Sequence, residues 1–172
     1  MFAKNEARKR LKRINLENAA WMTFTQSKRL QKSAEEYFAL DFMDPNLDMK
    51  RLQELSMTYQ MELHAFLIFS KKFVASYQKD ESVKPKPGMP KETMSLICGL
   101  RDMFEHPEDY EFGSSKMFES DRKNIQLILS KLGFNWLMHK SISYNRVTKC
   151  LEIGMLINLD DFLIFPKQFL DI

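Results

Sequence analysis

The chain has 172 residues and a net charge of +3, enough for one domain with its own core and too short for two domains of ordinary size. Hydrophobic residues make up 44% and include 14 Phe and 12 Met against only 5 Gly, which excludes a disordered or fibrous chain and leans toward helix. The longest apolar runs, such as Ala65–Phe69, are too short to cross a bilayer, and Cys98 and Cys150 stand far apart in apolar surroundings, so a cytoplasmic protein with reduced thiols, away from membranes, is expected.

Lys4, Arg8, Lys9, Arg10, Lys12 and Arg13 crowd the first residues with Glu6 as the sole acid, so residues 1–14 read as a basic, solvated N-terminal arm. From 15 to 42 the apolar positions Leu16, Ala20, Phe24, Leu30, Ala34 and Phe38 keep a helical rhythm, interrupted at Ser27 and Lys28. Asp44-Pro45 then supplies a cap and a first-turn proline for a second helix over 46–79. Its stripe runs from Leu52 to Tyr77, and His64 beside it reads as an ordinary helix residue.

Two prolines and a glycine within 84–88 break the chain into a loop, and Pro90 opens a third helix over 90–106. The stretch from Pro107 to Ser120 is polar and acidic. A fourth helix is predicted over 121–132, with Ile125, Ile128, Leu129 and Leu132 inward and Gly133 as its stop. Beyond Gly133 the rhythm alternates, which predicts a β-hairpin with arms at 151–157 and 162–165 around a turn at 158–161, joined by a strand near Trp136 to Ser143. The expected fold class is therefore mainly α: a four-helix bundle over 15–133 and a small C-terminal β-hairpin element in an extension, 134–172, packed on the same domain.

The histidines at 64, 106 and 139 and the two cysteines have no zinc-type spacing, and no acidic run matches a calcium loop. The five glycines are isolated, so a P-loop, a dinucleotide fingerprint and a nucleophile elbow are all missing. No metal and no cofactor are expected.

Chemistry concentrates in the third helix. Met94, Ile97, Leu100 and Phe104 share one helix face, and Arg101 falls on the same stripe, where a guanidinium requires a carboxylate, a phosphate or a wet cleft. Pro107 disfavours helix at His106, which frees that ring to swing toward Arg101, and Asp102 stands four residues before His106, close enough to orient it.

The Arg-x4-His string from Arg101 to His106, with a polar residue directly after the arginine and a place late in a helical domain, resembles the signature of the HEPN family of small helical proteins. The resemblance implies a HEPN-like bundle and a metal-independent endoribonuclease. In such an enzyme His106 takes the proton of a ribose 2′-hydroxyl, Arg101 holds the phosphate, and Asp102 orients His106. It further implies a homodimer with two Arg-His pairs facing one cleft, an RNA substrate, and a toxin or defence role restrained by a neutralising partner protein. The acids between 107 and 120 oppose a site for a polyanion, so cations from Lys28, Arg29 and Lys32, the N-terminal arm or a second protomer are required. The alternative is a non-catalytic helical interaction module, in which Arg101 with Glu105 and Asp102 with His106 are ordinary i, i+4 pairs on a helix surface.

Overall fold

The computed structural model describes residues 2–79, 88–105, 119–132 and 142–170. The loop at 80–87, His106 and the acidic stretch to 118, Gly133, His139 and most of the strand expected near Trp136 lie outside the described residues, as do the side chains of Ile125 and Leu132.

The first helix, α1 (Phe2–Phe38), starts at Phe2 and not near Asn15, so the basic segment is its opening turns. Ala, Arg, Lys and Leu are strong helix formers, and extending a helix already anchored from Leu16 onward costs little, which explains why residues 5–15 stay helical while exposed on every side. The helix stops at Phe38, short of the expected 42. There the Arg146 guanidinium donates to the carbonyls of Phe38 and Leu40, and the Tyr37 ring is held between Phe42 and Tyr59, with centroids 5.4 and 4.7 Å away.

The second helix, α2 (Met49–Lys79), is capped by Asp48, whose carboxylate accepts from the backbone N–H groups of Lys50 and Arg51. The expected start at Asp44-Pro45 is thus displaced: Asp44 accepts from Asn46 N–H in a tight turn ahead of the helix. Leu63, Phe66, Leu67, Phe73, Val74 and Tyr77 are fully packed, while Leu52, Leu55 and Tyr59 are only half-covered.

The buried side of α1 is rich in small residues, namely Ala19, Ala20, Thr23, Ser27 and Ala34, which lets neighbouring elements approach it. Thr23 donates to the Ala19 carbonyl at 2.8 Å and Ser27 to that of Phe24 at 2.7 Å, so each buried hydroxyl is satisfied within its own helix. That is why the interruption of the rhythm at Ser27 does not interrupt the buried side of the helix. Gln26 donates to the Glu62 carboxylate and Lys12 to the Lys79 carbonyl, contacts that fix the two helices as antiparallel.

The third helix, α3 (Lys91–Glu105), runs antiparallel to α2, and the fourth, α4 (Glu119–Leu132), antiparallel to α3, with Lys131 bridged to Glu92. The two helices approach closely at Gly99: a Cβ there would meet Ile128 Cδ1 at 2.6 Å and the Asn124 carbonyl oxygen at 3.1 Å. Ile128 points inward as expected. Leu129, one step round the helix, is 37% exposed, and Leu127 packs on the core in its place.

The C-terminal part is a three-stranded antiparallel sheet in the order β1 (Ile142–Asn145), β2 (Cys150–Ile153), β3 (Ile157–Asn158), followed by a helix, α5 (Leu159–Lys167). Ile142 pairs with Ile153 and Asn145 with Cys150, while Glu152 pairs with Asn158. The expected hairpin is corrected in two places. Its first arm is broken by a turn at Gly154 and Met155, both at positive φ, with Leu156 N–H donating to the Ile153 carbonyl. Its second arm, 162–165, is helix, because Asn158 accepts from the N–H groups of Asp160 and Asp161 as an N-cap and the two aspartates suit the first turn.

The sheet and α5 complete one continuous core. Phe162 sets its ring edge-on to Phe66 at 5.9 Å, and Leu151, Ile153 and Ile157 are buried beneath it. Tyr144 stacks on Phe38 and donates to the Glu35 carboxylate; loss of hydration, then the Glu35 charge, raise the phenol above its usual pKa, so the hydroxyl remains a donor.

Candidate functional site

The buried arc of α3 is wider than a single stripe because α2 and α4 flank it on two sides. Leu96, Ile97, Gly99, Leu100, Asp102 and Met103 are covered, while Met94, Arg101 and Phe104 lie on the shoulder. The ionised group that α3 buries is therefore Asp102, 6% exposed, and not Arg101. On the facing side of α2, His64 and Lys71 are seven residues apart and so project from the same flank.

These residues form one chain of contacts. Asp102 Oδ1 accepts from Lys71 Nζ at 2.6 Å and from Arg101 Nη1 at 2.8 Å. Arg101 Nη2 pairs with Glu105 Oε2, and Glu105 Oε1 accepts from His64 Nε2 at 3.3 Å, the ring nitrogen donating because a carboxylate can only accept. The His64 imidazole lies on Phe104, with centroids 5.0 Å apart and planes 22° from parallel. Arg101, Lys71 and His64 keep 25%, 32% and 38% of their side-chain surface in water, whereas Asp102 and Glu105 keep 8% and 18%.

The charges of Lys71, Asp102, Arg101 and Glu105 cancel, and this accounts for how a half-buried guanidinium is tolerated. One acceptor is left over: Asp102 Oδ2 is buried and receives no hydrogen bond among the described residues. A buried acceptor left in that state costs about 1–3 kcal/mol, so a donor brought to it gains correspondingly.

Of the residues singled out from the sequence, Arg101 and Asp102 are in direct contact, and His106, one residue past the end of α3, lies outside the described residues. Sequence reasoning missed His64 and Lys71. Their only signal was the seven-residue spacing on one side of the α2 stripe, opposite an Arg-Asp-x-x-Glu set on α3 that was read only for pairs within its own helix.

Among the described residues no three metal-ligating side chains converge, and no helix is long and apolar enough to cross a membrane. No family model, no curated protein and no solved structure matches the chain.

Proposed function

We propose that the protein is a metal-independent endoribonuclease of HEPN type, with Arg101 as phosphate ligand, His106 as general base and Asp102 as the residue that orients His106. The observation that carries this reading is the cluster at the end of α3. It keeps Arg101 and Lys71 partly in water against a buried carboxylate whose second oxygen has no described donor, four residues before His106. The single N–H of a neutral imidazole is a suitable donor for that oxygen, and it leaves the other ring nitrogen free to accept a proton. The base takes a proton from the ribose 2′-oxygen, which attacks the adjacent phosphorus as the P–O5′ bond breaks; a cyclic 2′,3′-phosphate is left, the departing 5′-oxygen takes up a proton from water, and Arg101 balances the charge that builds on the phosphoryl oxygens. The reading extends to a HEPN-like homodimer with a shared cleft, acting in the cytoplasm as a toxin or defence effector under a neutralising partner.

The test is cleavage of single-stranded RNA in the presence of a chelator. Wild type is expected to cut and leave cyclic phosphate ends, and His106→Ala to lose at least about 100-fold in rate, the low end of what a general base contributes. Arg101→Ala is expected to lose cleavage as well. Equal cutting by wild type and both variants, or loss of activity to the chelator, overturns the proposal.

A second reading, a helical interaction module in which the motif is structural, is favoured by a specific contact: Glu105 and Asp102 already neutralise Arg101. Glu105→Gln separates the two. It releases Arg101 toward phosphate and accelerates cutting in an enzyme, whereas a binding module cuts RNA with neither side chain.

A further inference from the structure

The net charge of +3 conceals a strong asymmetry. Nine of the 26 lysines and arginines lie in the first 32 residues with only two of the 23 acids, Glu6 and Glu17, so α1 is strongly positive and the rest of the chain is net negative. Over residues 5–15 the helix is exposed on all sides, and its five cations spread over about 200° of its circumference at 100° per residue.

Where α1 settles onto α2, one solvent side continues the charge. Arg10, Ile14, Trp21, Lys28 and Lys32 recur at spacings of four and seven and fall within about 40° of one another, with Arg29 on the flank. Trp21, in the middle, is 60% exposed. The nearby acids are engaged: Glu6 with Lys9, Glu17 with Arg13 and Glu36 with Lys32, at 3.4, 2.8 and 3.8 Å. Arg8, Arg10 and Arg29 have no carboxylate partner among the described residues.

We infer that this face of α1 binds single-stranded nucleic acid, with the backbone phosphates on the arginines and lysines and one base stacked on the Trp21 indole. A cationic track with an exposed aromatic in its middle is what a single strand requires, since its charge is continuous and its base faces are open. Arg10 to Lys32 spans about 33 Å, room for several nucleotides. A lipid surface fits less well, because it needs a one-sided apolar face and the cations of residues 5–15 turn around the helix. A second copy of α1 fits less well again, since it brings like charge against like.

The face is on a different helix from the Arg101 cluster, and its binding does not depend on the catalytic reading. The probe is therefore a fluorescein-labelled dodecamer of thymidylate, which lacks the 2′-hydroxyl and cannot be cut by that route. Fluorescence anisotropy with the full chain is expected to show binding that weakens with salt, and His106→Ala is expected to bind as wild type does. The triple variant Arg8→Glu, Arg10→Glu, Arg29→Glu, all exposed side chains, is expected to lose at least about tenfold in affinity and to flatten the log–log salt slope by about 2. Trp21→Ala is expected to lose about tenfold with the slope unchanged. Circular dichroism confirms that each variant keeps its helix content. Wild type that does not bind, or variants that bind as wild type does, overturns the inference; so does Trp21-dependent binding to phosphatidylserine vesicles in preference to the oligonucleotide.

Discussion

Asp102 is the residue on which the α2–α3 contact turns, because two cations from two helices meet at one of its oxygens. Asp102→Asn keeps the shape and removes the charge, leaving Lys71 without a described counter-ion. Breaking such a pair costs about 3–5 kcal/mol when it is fully buried, and partial exposure of both cations reduces that to about 1–3 kcal/mol. A melting temperature lower by about 3–10 °C is expected for a chain of this size, with much of the loss recovered in Lys71→Met, Asp102→Leu, where no charge is left unpaired. An Asp102→Asn chain that melts with the wild type sinks this account of the cluster. Arg101 is legible in sequence as a charge on an apolar stripe and Asp102 as the acid four residues before His106, but that Asp102 and not Arg101 is the buried charge is not. Nor is their partner Lys71, because a cross-helix pair is separated by about thirty residues and no local pattern specifies it.

At the scale of elements, the existence of the first four helices follows from periodicity, whereas the helical state of residues 2–14 and the C-terminal helix do not. Leu159, Phe162, Leu163 and Pro166 carry the i, i+3, i+4, i+7 rhythm, and all four are buried, but the run is short and dense in β-formers, so strand and helix compete. Asn158 with its two following aspartates decides for helix, a cap that reads equally well as a turn until the N–H donors are located. Helix spacing likewise depends on what a rhythm cannot show. Gly99 lets α4 approach α3, and Gly99→Val puts two methyl groups where one Cβ already collides with Ile128 and the Asn124 backbone. Overpacking of this kind costs about 1–3 kcal/mol, so chemical denaturation is expected to show a midpoint shifted down with its slope unchanged. A midpoint at or above that of the wild type rules out close packing at this position.

For the molecule as a whole, the proposed composite cleft requires two chains. Sedimentation at high micromolar concentration is expected to give twice the chain mass, and a monomer removes the shared cleft while leaving the α1 face untouched. The hydrogen bonds that join the C-terminal sheet to the end of α1 span the longest sequence separations of any among the described residues: Arg146 holds the carbonyls of Phe38 and Leu40, and Tyr144 reaches Glu35 across 109 residues. At an elongation rate of 5–20 residues per second, the end of α1 waits about 5–20 s on the ribosome before Arg146 is made. Once Lys79 has been made the α1–α2 hairpin can form from its own neighbouring residues, but the Phe38 and Leu40 carbonyls still lack Arg146 and the Phe38 ring still lacks Tyr144. The nascent chain therefore passes through a half-built stage whose vulnerable point is the turn after Phe38, and completion of the fold depends on its last thirty residues.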